Sequence, residues 1–99
     1  MDDSSDILTI TEDGDVIRLD GEIDASTVST LTEHLAATEG DVTLDLSGVG
    51  FIDSSGLRAL IGAKQAIDER GSSLQLRSPS PAVSRLFELS SVDTYFTIV

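Results

Sequence analysis

The sequence contains no cysteine, so it holds no disulfide framework, no thiolate zinc site and no thiol nucleophile. Aromatic residues make up only 4% of the 99 residues, which leaves aliphatic side chains to build the core. Basic residues are scarce: 6 Lys and Arg stand against 18 Asp and Glu, a formal net charge of −12 at pH 7. That balance argues against binding a nucleic-acid backbone or an anionic membrane surface, both of which require positive charge. No apolar run approaches the roughly 18–20 residues of a membrane span. The opening MDDSSD is acidic, unlike a secretory signal. The expectation is one soluble, cytoplasmic domain over residues 1–99, with 39% apolar residues to fill a small core.

The acid is unevenly spread. Residues 1–24 hold nine acids against one base, Arg18. The plain reading is solubility, with residues 1–6 as an acidic, disordered tail. The sharper reading is a field that steers a basic protein partner.

Hydrophobic spacing places the elements. Ile7–Ile10 and Val16–Leu19 flank Asp13-Gly14, a hairpin signal, and predict antiparallel strands at about 7–11 and 15–21. Val28, Leu31 and Leu35 share one face and predict a helix over 25–38, with Asp24 or Ser26 able to cap it and Gly40 ending it. Val42, Leu44 and Leu46 alternate with polar residues and predict a strand, which Ser47-Gly48-Val49-Gly50 is expected to break. A second helix is predicted from Ser54 or Ser55 to Arg70, with Gly56, Leu60, Ala63 and Ile67 inward and Gly71 as its stop. Leu74 and Leu76 mark another strand. Ser80-Pro81 opens a third helix with Val83, Leu86 and Phe87 inward, and Tyr95–Val99 is a last β run. The order β-β-α-β-α-β-α-β implies an α/β fold: a mixed sheet opened by a hairpin, with right-handed crossovers and helices mainly on one face.

The stretch that carries chemistry is Asp45–Leu60, DLSGVGFIDSSGLRAL. A strand gives way to a helix start, where unpaired N–H groups expose partial positive charge. A serine there can cap the helix, worth about 1 kcal/mol. It can also accept a phosphate, whose charge of about −1.5 to −2 a helix start tolerates. Two adjacent serines allow one to cap while the other stays exposed. A nucleophile elbow is not present, because Ile52-Asp53-Ser54-Ser55-Gly56 lacks its first glycine. The only histidine, His34, sits among polar residues and reads as surface. There is no Gly-rich phosphate loop with its lysine, and Glu12–Asp15 lacks the full calcium-loop pattern. No catalysis, no metal and no cofactor are expected.

Three blocks then carry a resemblance: Gly21-Glu22-Ile23-Asp24; Asp45-Leu46 followed by Phe51-Ile52-Asp53-Ser54-Ser55-Gly56-Leu57; and Ser80-Pro81-Ala82-Val83-Ser84-Arg85-Leu86-Phe87. In this order, over roughly residues 7–98, they resemble the anti-sigma-factor antagonists, bacterial regulators built on the STAS domain. The resemblance implies a partner switch. The unphosphorylated antagonist binds an anti-sigma factor that is also a serine kinase, and a sigma factor is freed for transcription. Phosphorylation ends the binding, and a metal-dependent phosphatase of the PP2C type resets the protein. The implied acceptor is Ser54, with Ser55 as runner-up. The implied contact surface is Asp24, Asp53, Ser54, Ser55, Gly56, Leu57 and Arg58, with Lys64 further along the same helix. For Asp24 a helix cap is the plain alternative, and for Arg58 a solvated helix face.

The chain departs from the pattern in two places. Ser90-Ser91-Val92 stands where the family usually shows Ser-Gly-Leu, so the third helix lacks its glycine stop. The chain also stops at Val99, without the further helix of many members: either the last strand ends the domain or the chain is trimmed there, and the missing helix is expected to bare apolar surface and favour self-association, giving a monomer or a weak dimer. A second reading is an accessory STAS subunit of a membrane transporter of the lipid-transport ATP-binding-cassette type. A third, a small hydrolytic or nucleotide-binding enzyme, finds no base and no phosphate cradle.

Overall fold

A computed structural model describes residues 8–99. The acidic segment 1–6 and Ile7 lie outside the described residues. Strands β1 (Thr9–Asp13) and β2 (Val16–Ile23) form the opening hairpin, pairing antiparallel with Asp13 opposite Val16. Their two-residue loop has Gly14 at φ +69°, the conformation a tight hairpin asks of glycine. Helix α1 (Val28–Ala36), strand β3 (Val42–Ile52), helix α2 (Ser54–Glu69), strand β4 (Leu74–Arg77), helix α3 (Pro81–Leu89) and strand β5 (Thr97–Ile98) follow. The sheet runs β1-β2-β3-β4-β5, parallel after the first pair. The strand order advances in one direction and each parallel pair is joined by a helix. Right-handed crossovers therefore put all three helices on one face.

The strands show this division residue by residue. Ile17, Leu44 and Leu76 stand side by side in register and are buried under the helices. Arg18, Asp45 and Arg77 form the next row, on the opposite face. There Arg18 is held by Asp20 at 3.0 Å, and Arg77 lies 3.5 Å from Asp45. Asp45 also accepts a hydrogen bond from the Ser47 backbone N–H at 2.9 Å, and that bond holds its carboxyl below the usual carboxylate range. The Asp20 carboxylate in turn raises the Arg18 guanidinium. On the covered face the helices contribute Leu31, Leu35, Leu60, Ile67, Val83 and Phe87, all buried. Phe87 also packs on Phe96, with ring centroids 5.7 Å apart.

Several sequence expectations need correction. Ser47–Gly50 does not break the strand, and β3 continues for 11 residues. Against β2 it gains a residue between Asp45 and Gly48 and another between Val49 and Phe51. The glycines sit at these bulges, and only at Gly48 would a side chain be in the way, since a Cβ on Gly50 would meet nothing within 4 Å. A Cβ on Gly48 would collide with the Asp20 carboxylate and lie 2.9 Å from the Leu19 carbonyl oxygen. The first helix begins at Val28 rather than 25, and neither Asp24 nor Ser26 caps it. Thr27 holds the cap position, but its hydroxyl donates back to the Glu22 carbonyl at 3.0 Å and accepts from the Asp24 N–H at 3.0 Å. The last β run shrinks to Thr97–Ile98, because Val92–Tyr95 closes a turn with the Tyr95 N–H on the Val92 carbonyl.

The helix stops follow backbone chemistry. Gly71, at φ +87°, and Ser72 donate to the carbonyls of Asp68 and Ile67, the paired bonds of a Schellman stop. The third helix makes the same stop without glycine. Ser91 takes φ +59°, and Ser91 and Val92 donate to Glu88 and Phe87.

Candidate functional site

The site lies where β2 and β3 end and α2 begins. Parallel pairing brings Ile23 opposite Ile52, so the turn after β2 and the helix after β3 emerge side by side. The Asp53 N–H donates to the Ile23 carbonyl at 3.2 Å. Gly56 closes the approach. It is buried, and a Cβ there would overlap the Ile23 carbonyl oxygen and come within 2.7 Å of Ile52 Cγ1. The first turn of α2 therefore rests directly on the end of β2, which only glycine permits.

Asp53 caps α2. Its backbone is extended, and its carboxylate accepts from the Gly56 N–H at 2.9 Å. This corrects the expectation that one of the serines caps. Ser54 and Ser55 are instead the first two residues of the helix. Ser54 is exposed and Ser55 half-buried, and among the described residues neither hydroxyl has a hydrogen-bond partner. An Asp followed by Gly at the third helical position was the available signal for this cap, because a carboxylate both accepts from a first-turn N–H and answers the positive helix end.

Asp24 shapes the neighbouring turn. Its Oδ1 accepts from the Ser26 hydroxyl at 2.7 Å and from the Ser26 N–H at 3.0 Å. The hydroxyl bond is the main reason its carboxyl titrates below the ordinary range. Asp24 is half-buried and immediately follows Ile23, whose carbonyl holds Asp53.

The other expected contact residues divide. Arg58 is exposed one helical turn beyond Ser54, on the same side of α2, and has no ion pair among the described residues. Leu57 is half-buried and packs on the core, and Gly56 is buried, so both support the site from beneath. Lys64 lies two turns further along. It pairs with Asp68 at 2.6 Å, which raises its pKa, and stands 5.0 Å from the centre of the Tyr95 ring. It is thus already engaged. His34 occupies the last turn of α1 and faces Glu12 of the opening hairpin, at the end of the sheet away from Ser54. It is no base for that hydroxyl.

One neighbour, named above only as part of a motif, stands out. Between buried Val49 and buried Ile52, both Gly50 and Phe51 are exposed, and 49% of Phe51 is accessible. In addition, the Ser80 hydroxyl that caps α3 donates to the Val49 carbonyl at 2.8 Å, tying the start of α3 to the bulged part of β3. Chemically, the site is a free hydroxyl on the positive end of a 16-residue helix, flanked by two carboxylates already committed to backbone groups. Among the described residues no group of three or more His, Cys, Asp or Glu is placed to hold a metal ion, and no helix is long and apolar enough to cross a membrane.

Known proteins share this fold. Residues 8–99 match the family described as "Mlab, STAS domain". An anti-sigma-B factor antagonist of Staphylococcus epidermidis is 33% identical over 91 residues, covering 87% of this chain and 84% of that protein. An anti-sigma factor antagonist from Mycobacterium paratuberculosis superposes with a TM-score of 0.77 at 23% identity, over 93% of this chain and 83% of its own. SpoIIAA, an anti-sigma factor antagonist, superposes in its unphosphorylated form with a TM-score of 0.76 at 21% identity, over 94% and 88% of the two chains. The Bacillus cell fate determinant SpoIIAA in its phosphorylated form gives 0.70 at 20%, over 94% and 91%. At these identities the solved structures share the fold, while the staphylococcal sequence and the family match carry the kinship. The chain belongs to the STAS-domain family of anti-sigma factor antagonists.

Proposed function

We propose that this protein is a phosphorylatable binding module without catalysis of its own. In its unphosphorylated form it binds an anti-sigma factor that is also a serine kinase, and so frees a sigma factor. Phosphate on Ser54 ends that binding, and a PP2C-type phosphatase restores it. The observation that carries this reading is the division of labour at the start of α2. Asp53 makes the capping bond, so the Ser54 hydroxyl is exposed and free of any structural duty. A phosphate there would meet the helix N-terminus, leaving the fold intact while adding about two negative charges to the surface beside Asp53 and Asp24. A partner that meets this surface with a carboxylate or an apolar patch is then repelled or left desolvated. The names of the staphylococcal relative and of SpoIIAA in its two forms are in keeping with this reading.

In this reading the contact surface is exposed Ser54 and Arg58 with half-buried Asp24 and Ser55 beside them, and Asp53, Gly56 and Leu57 hold them in place. Site-resolved mass spectrometry of the protein from its own cells, before and after stress, tests the acceptor. A phosphate at Ser54 that changes with conditions is the expected result. Binding to the cognate kinase is expected to weaken at least tenfold in Ser54→Asp and to survive in Ser54→Ala. Unchanged affinity in a folded Ser54→Asp protein overturns the reading. Absence of modification at both serines, with a transporter ATPase subunit as the stable partner, would instead make the protein an accessory transporter subunit.

A further inference from the structure

A shallow groove of about 270 Å³ runs between the end of β3 and helix α3. Its walls include Phe51 from the strand, and Ala82, Arg85, Leu86 and Leu89 from the helix. Leu89 is 72% exposed, the most accessible large apolar side chain in the described chain, and Phe51 is 49% exposed. The sequence goes out of its way to place Phe51 there. In an unbulged strand, side chains alternate, and Phe51 would share the covered face with Val49. The extra residue at Gly50 shifts the register between Gly21 and Glu22, so that Ile52 turns inward and Phe51 outward. The same bulged segment receives the Ser80 hydroxyl, which fixes α3 as the opposite wall. Phe51 precedes Ser54 by three residues, so the groove adjoins the proposed switch.

We infer that this groove is the second half of the partner surface and takes an apolar side chain from the anti-sigma factor, with a neighbouring carboxylate of that partner meeting Arg85. This inference rests on the function proposed above. Its volume suits one or two side chains and falls below that of ordinary small-molecule pockets. Exposed apolar side chains clustered in one place mark interaction surfaces. The charge points to an acidic contact: Arg85 is exposed at the groove and has no ion pair among the described residues. A second copy is a poor occupant, because two chains of net charge −12 repel. The groove thus supplies binding energy that does not depend on the Ser54 hydroxyl, and the phosphate acts at its border.

The test uses the full chain and the purified cognate kinase as the probe. Leu89→Glu and Arg85→Glu are expected each to weaken binding at least tenfold, with unchanged thermal midpoint and circular dichroism, while Glu88→Gln on the same helix leaves affinity unchanged. In the phosphorylation assay both groove variants should raise KM for the chain with little change in kcat, because the groove binds without touching the reacting oxygen. If wild type binds, Ser54→Asp abolishes binding and both groove variants stay within twofold of wild type, the groove is overturned while the switch stands. If wild type neither binds nor is phosphorylated, both fail together. If sedimentation shows a dimer that Leu89→Glu dissolves, the occupant is a second copy and the inference is also overturned.

Discussion

The Asp53 carboxylate and the Gly56 N–H, 2.9 Å apart, form the bond that decides what Ser54 is free to do. Asp53→Ala should destabilise the fold by about 1 kcal/mol, the usual worth of a side-chain cap, and Asp53→Asn should recover most of it. Urea unfolding at pH 7 measures both. A loss in Ser54→Ala as large as that in Asp53→Ala would mean that the serine shares the capping duty.

Ser54→Asp places a carboxylate on the first residue of α2, where the helix end attracts it and Asp53 repels it. The two effects are each of order 0.5 kcal/mol and oppose one another. Stability is therefore expected to stay within about 0.5 kcal/mol of wild type, which calorimetry can check. A large loss would show that the surface and the fold are coupled here.

Two glycines of α2 should respond with opposite sign to the same change. Gly56→Ala drives a Cβ into the Ile23 carbonyl and the Ile52 side chain, and is expected to cost about 1–3 kcal/mol. Gly62→Ala meets nothing within 4 Å and should stabilise by about 0.5–1 kcal/mol through helix propensity. Parallel denaturation curves settle the pair.

Ser91 sits at φ +59°, where its Cβ crowds the following carbonyl. Ser91→Gly keeps both bonds of the α3 stop and removes that crowding, so a gain of about 1 kcal/mol is expected. An unchanged midpoint would show that the local chain already absorbs the strain.

Asp45 gives the pH dependence a definite sign. Its carboxyl is held below the ordinary range, chiefly by the Ser47 N–H, so the charged form is the one the fold prefers. The resulting stability is complete above the unfolded value of about 3.9 and is lost as pH falls through the lower folded value. Asp45→Asn should therefore be less stable than wild type by about 1 kcal/mol at pH 7, with the gap closing below about pH 4. A gap that persists at pH 2 would assign the loss to shape rather than charge.

The helices were legible where spacing and punctuation agreed. Leu31 and Leu35, Leu60 and Ile67, and Val83 and Phe87 all face the core as their spacing predicts, and Ser80-Pro81 starts α3 as such a pair should. The strand β3 misled because Ser47–Gly50 carries the composition of a loop. Its backbone groups pair with β2 all the same, and that pairing is a tertiary property no local pattern shows. The start of α1 slipped by three residues for a similar reason: Thr27 is drawn back to Glu22 by a hydrogen bond across the turn. At the site, the Asp-Ser-Ser-Gly stretch was recognisable, but which of its residues caps depends on the approach of Ile23, 30 residues away in sequence from Asp53. The exposure of Phe51 was not legible because its outward orientation is set by a register shift rather than by its own character.

The open face of the sheet has a quieter consequence. Arg18, Asp20, Asp45 and Arg77 lie there as two positive and two negative groups, mutually compensated within a chain that is otherwise strongly acidic. That patch of the sheet carries no net charge, whereas carboxylates with no ion pair among the described residues stand around it at Asp13, Asp15, Glu22 and Asp41. An approaching basic protein would feel less pull towards that patch than towards its acidic margin, so its orientation in the encounter is biased by where the charges cancel.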